Sequence, residues 1–66
     1  MSKELFQSKV RKLIRISGTG AAVFFDFDEE AGRHFAFLGD VRITGNTMSN
    51  KLTVRWGSGH QSLAEL

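Results

Sequence analysis

The sequence predicts a mainly β fold: a small antiparallel meander of four to five strands, or a half-open barrel of SH3-like or OB-like kind, with a short N-terminal helix. Three observations predict it. Apolar and polar residues alternate in several runs after residue 20. The seven glycines punctuate those runs where hairpins would turn. The chain has 66 residues, which allows a single small domain over 1–66 with a thin core.

Ser2 can cap a helix, and Phe6, Val10, Leu13 and Ile14 share one face of a helix drawn from it. Residues 10–16 also alternate as a strand, with Val10, Ile14 and Ile16 on one side and Arg11, Leu13 and Arg15 on the other. The reading adopted is a short helix over about 3–9 followed by a strand over about 9–16. Ser17-Gly18-Thr19-Gly20 then forms a hairpin turn that pairs Ile16 with Ala21 and Ile14 with Val23. It is too short for a phosphate loop, and no Lys-Ser/Thr pair follows it.

Residues 21–29 read as a strand. Val23, Phe25 and Phe27 lie on one face, and Ala22, Phe24, Asp26 and Asp28 on the other. Glu30-Ala31-Gly32 is expected to close a three-residue hairpin loop with positive φ at Gly32. That loop pairs Glu29 with Arg33, Phe27 with Phe35, and Phe25 with Phe37, which gathers four rings on one face. The alternation continues through Phe35, Phe37, Gly39, Val41 and Ile43, so one long strand over about 33–44 is expected, bent at Gly39. Gly45 to Asn50 reads as a turn, and Leu52, Val54 and Trp56 alternate in a strand over about 51–57. Gln61 to Leu66 fits either a last short strand or a helical turn.

This phase puts Ile14, Ile16, Val23, Phe25, Phe27, Phe35, Phe37, Val41, Ile43, Leu52, Val54 and Trp56 inside. The opposite face gathers Leu13, Phe24, Ala36 and Leu38 within a ring of charge from Arg11, Arg15, Asp26, Asp40, Arg42 and Arg55, with His34 among them. An apolar patch of this kind calls for a cover. The N-terminal helix, through Leu5 and Phe6, a second copy of the chain, and a nucleic acid are the three candidates.

Arg33-His34-Phe35-Ala36-Phe37-Leu38 resembles the first aromatic motif of RNA-recognition domains and, over a shorter stretch, the nucleic-acid-binding strand of cold-shock proteins. In those families the aromatic side chains stack on bases, which the resemblance implies for Phe35 and Phe37. The sequence departs from the pattern where His34 replaces Gly and where Asp40 replaces the last aromatic, and it is too short for the two-helix RNA-recognition fold. The residue pattern itself assigns Phe35 and Phe37 to the core, opposite Phe27 and Phe25.

Other chemistry finds little support. With no cysteine there is neither a disulfide framework nor a thiolate metal site. Counted from Asp26, a calcium loop would need Gly and Glu where Ala31 and Phe37 stand. His34 and His60 lack partners at a spacing that would make a general base or a ligand set. No enzyme activity, cofactor or metal is expected. No run of about 18 apolar residues occurs, and the charged N-terminus is unlike a signal peptide, so a cytoplasmic chain without membrane contact is expected.

Small size without crosslinks favours association. The first expectation is a non-enzymatic interaction module that self-associates or binds a protein through Leu13, Phe24 and Leu38. The alternative is a small β-barrel that binds single-stranded nucleic acid. It would set Arg11, Arg15, Arg42 and Arg55 on phosphates and stack bases on Phe24 and Trp56. The net charge of +2 is a small excess, which ranks the protein interaction first.

Overall fold

Ser2 starts the helix encoded by the first residues. In the computed structural model, which describes residues 1–18 and 22–65, Ser2 is extended and its Oγ accepts from the Leu5 amide at 3.1 Å. Helix α1 runs over Lys3–Ser17. Glu4 in the first turn and Arg15 in the last both complement the helix dipole. Gly18 ends the helix at φ 73°, and its amide donates to the carbonyls of Ile14 at 3.1 Å and Arg15 at 3.3 Å.

The strand expected over 9–16 is therefore helix. The helical phase wins because it collects every large apolar side chain from Phe6 to Ile14 on one stripe. Phe6 and Val10 are fully buried, and Leu13 and Ile14 pack against the same core. Burying each large side chain is worth about 1.5–3 kcal/mol, which outweighs the weaker helix propensity of Val and Ile. Strand phase would instead have split Val10 and Ile14 from Leu13. The proposed partners of Ile14 and Ile16 do not form, and the remainder of that turn, 19–21, lies outside the described residues.

Five antiparallel strands follow, paired in chain order in a single open sheet: β1 Phe24–Asp28, β2 Arg33–Leu38, β3 Val41–Asn46, β4 Lys51–Arg55 and β5 Gln61–Glu65. The meander is as expected, and the last segment is a strand. The sheet does not close into a barrel.

Two features of the pairing differ from the expectation. The first hairpin carries four loop residues, 29–32, so Asp28 pairs with Arg33, Phe27 with His34, and Phe25 with Ala36. Gly32 does take positive φ, at 61°, and the Ala31 amide donates to Asp28 Oδ1 at 3.2 Å, which closes the loop one residue earlier than a three-residue turn would. The second difference is at Gly39. The long strand does not bend there but reverses: Leu38 pairs with Val41 across a two-residue turn, with Gly39 at φ 56°. A glycine of positive φ at the first turn position is what a type II′ hairpin requires.

The one-residue change of register moves β2 to the opposite phase. His34, Ala36 and Leu38 point into the core with Ile43, Leu52 and Val54, beneath Phe6 and Val10 of the helix. Val23, Phe25 and Val41 pack at its margin, as expected of inward residues. Phe35, Phe37 and Trp56, assigned to the interior by alternation, are not in that core, and Ile16 is 68% exposed on the helix. His34 is enclosed between the rings of Phe6 and Phe27, at centroid distances of 5.0 and 4.8 Å, and its Nε2 lies 2.9 Å from the Met1 carbonyl. It is a satisfied core residue.

Candidate nucleic-acid interface

The helix covers one face of the sheet and leaves the other bare. Strand alternation brings three cross-strand rows to the bare face. The middle row runs Asp26, Phe35, Thr44, Thr53, and the row beside it runs Phe24, Phe37, Arg42, Arg55. Asp28 and Arg33 face each other at the hairpin end. Aromatic rings thus occupy the centre of the face. Carboxylates flank it on β1, and arginines flank it on β3 and β4.

The rings are accessible. Phe24 is 71% exposed and Phe37 38%. Phe35 and Phe37 stand two residues apart on β2 with centroids 6.1 Å apart and planes 9° from parallel. Beside them, a shallow depression of about 210 Å³ is walled by Arg33, Phe35, Arg42, Thr44, Thr53 and Arg55. Arg42 and Arg55 are directly opposite one another. Like charges in that relation oppose sheet pairing. Among the described residues, neither guanidinium has an ion-pair or hydrogen-bond partner.

Trp56 follows β4 at the end of the face and is 37% exposed. Its ring is tilted against His60 at 5.2 Å. The turn is held by its own backbone, since the Trp56 amide donates to the His60 carbonyl and the Gly59 amide to the Trp56 carbonyl, both at 2.9 Å.

Of the residues selected from sequence for nucleic acid, Phe24, Arg42 and Arg55 do share this face, with Trp56 at its edge. Arg11 and Arg15 do not, because both lie on the helix on the other side; the Arg11 guanidinium sits 5.3 Å from the Phe25 ring. The grouping of Leu13, Phe24 and Leu38 does not form. Leu38 is buried and Leu13 packs beneath the helix, so Phe24 alone of the three remains at the surface. Sequence reasoning missed Arg33, Phe35 and Phe37. The signal for the two phenylalanines was present in the aromatic motif, which the assumed hairpin register overrode.

No protein-family model, curated protein or solved structure matches this chain. The chemistry of the face therefore stands on its own residues. It offers planar apolar rings for stacking, cations spaced between them, and hydroxyls from Thr44 and Thr53. Among the described residues, no cluster of His, Asp or Glu could hold a metal ion, and no helix is long and apolar enough to cross a membrane.

Proposed function

We propose that this chain is a non-enzymatic module that binds single-stranded nucleic acid across the bare face of its sheet. The observation that carries the reading is the row Phe24, Phe37, Arg42, Arg55. Two guanidiniums without a partner among the described residues face each other beside two exposed rings. An anion would relieve the repulsion between the arginines, and a strand that alternates phosphates with flat bases supplies both partners the row lacks. Phe35 and Phe37 would take bases, and Arg33, Arg42 and Arg55 phosphates.

The ranking thus reverses that drawn from net charge alone. What supports the reversal is local and not the overall charge of +2: Arg42 and Arg55 stand opposite one another beside exposed phenylalanine rings, while the five bases of the helix lie on the other side of the sheet. The test is fluorescence anisotropy of a labelled single-stranded oligonucleotide. Wild-type protein binds with an affinity that falls as salt rises, and Phe37→Ser weakens binding without unfolding the chain. Failure of any oligonucleotide to bind at low salt removes the proposal.

A second reading has one observation in its favour. Acids on β1 and arginines on β3 and β4 flank the same phenylalanines, so a two-fold axis through the rings would set the acids of one copy against the arginines of another. Light scattering distinguishes the two. A dimer that Phe24→Ser converts to monomer supports self-association.

A further inference from the structure

The end of the bare face carries a feature that stacking on phenylalanine does not use. The β2–β3 turn and the segment after β4 converge there on an open groove of about 290 Å³, lined by Phe37, Asp40, Arg42, Arg55, Trp56 and Gly57 among others. It holds one carboxylate and two guanidiniums. Among the described residues these form no ion pair with one another, although they line the same groove. Opposite charges held apart on one wall suit a ligand that is itself two-sided, with a donor edge for the carboxylate and an acceptor edge or phosphate for the arginines.

Gly57 leaves room for the Asp40 side chain. A Cβ at Gly57 would lie 2.6 Å from Asp40 Oδ2 and 3.1 Å from Asp40 Cβ, so the carboxylate occupies the space that any other residue at 57 would fill. Gly57 does not have positive φ. A side chain at 57 would therefore act by displacing the Asp40 carboxylate and not through backbone conformation. The adjoining Trp56, 37% exposed with the His60 ring tilted against it, offers its remaining apolar surface to the groove, as a base requires.

Resting on the single-stranded nucleic-acid reading, we infer that this groove is a guanine-selective subsite. Guanine presents two adjacent donors, N1–H and the N2 amine, on its Watson–Crick edge and two acceptors, O6 and N7, on the other side. A carboxylate accepts from the first pair and arginine donates to the second. Adenine has no such donor pair, and cytosine and uracil offer less surface to Trp56. The assignment is therefore Asp40 to the donor edge, Trp56 to the base plane, and Arg42 and Arg55 to O6/N7 and the adjoining phosphate.

The experiment uses the full chain and labelled oligouridylates of about eight nucleotides, within the span of one small β-module. A single central residue is guanosine, adenosine or inosine, or is left as uridine. The expected result is that guanosine binds about tenfold more tightly than adenosine or uridine, the discrimination of one good bidentate contact. Inosine, which lacks the N2 amine, loses most of that advantage. Asp40→Asn keeps side-chain size, removes the guanosine preference and leaves affinity for the all-uridine strand equal or higher, since a negative charge has gone. Gly57→Ala, which displaces Asp40 without touching its charge, lowers the preference in the same direction. Binding of all four oligonucleotides with equal affinity, inosine equal to guanosine, or an undiminished preference in Asp40→Asn overturns the guanine subsite while leaving the sheet-face reading intact. No binding to any of the four overturns both.

Discussion

Replacing Arg42 and Arg55 together by threonine should move stability and binding in opposite directions. The two side chains are direct cross-strand neighbours, exposed, and without a partner among the described residues. Cross-strand pairs are worth roughly 0.2–1 kcal/mol, and like charges reverse the sign, so removing both should stabilise the fold by a few tenths of a kcal/mol up to about 1 kcal/mol. Threonine is the suitable substitute because the next row already pairs Thr44 with Thr53. It is also a good strand former, so propensity does not mask the electrostatic gain. Binding should change the other way. A single strand loses affinity with salt at a slope of roughly 0.7 per neutralised phosphate. Arg33, Arg42 and Arg55 together then give a slope of roughly −2, which falls to roughly −0.7 in the double variant. Urea denaturation measures the first quantity and anisotropy at several salt concentrations the second. A double variant less stable than wild type by more than about 1 kcal/mol would mean that the arginines are held by favourable contacts. An unchanged salt slope would mean that phosphates do not meet them. Either result refutes the reasoning.

Three other outcomes follow from the phase of the elements. Phe6→Ala removes a fully buried ring that stacks on His34 and should cost about 3–5 kcal/mol, enough to unfold much of so small a domain in urea titration. Phe24→Ser, at a site 71% exposed, should stay within about 1 kcal/mol of wild type in the same assay. Gly32→Ala meets both a φ of 61° and a Thr47 Oγ1 only 2.9 Å from the new Cβ, and should destabilise by about 1–2 kcal/mol, read as a lower urea midpoint with unchanged slope.

Much of the architecture was legible in the residues, and its limits are instructive. The alternating runs placed strands over 21–29, 33–44 and 51–57, because a half-buried strand writes its two faces into the chain with period two, but they did not show that the middle run folds back at Gly39 into two strands. Ser2 and the Phe6, Val10, Leu13, Ile14 stripe contained the whole helix, but the run Val-Arg-Lys-Leu-Ile-Arg-Ile satisfies both periods when read alone. What decided it was a tertiary fact, namely that the sheet needed a cover on the side where His34, Ala36 and Leu38 emerge. The hairpin after β1 was a further failure. The three-residue loop was selected because it pairs the aromatic rings, and a four-residue loop was not weighed; the Asp28 carboxylate bonding to the Ala31 amide favours that longer loop. Because side chains alternate, that single residue exchanged Phe35 and Phe37 for Ala36 and Leu38 between core and surface. The candidate site was correspondingly half visible: Phe24, Arg42 and Arg55 were chosen correctly for the open face, whereas Leu38 and Leu13 were taken from the wrong side.

The most direct test is an amide-resolved NMR titration of the isotopically labelled chain with a single-stranded oligonucleotide. Binding across the bare face predicts shifts concentrated at Phe35, Phe37, Arg42, Thr53 and Arg55, with the helix residues Lys9 to Arg15 unmoved. Shifts confined to the helix, or no shifts at low salt, would contradict it.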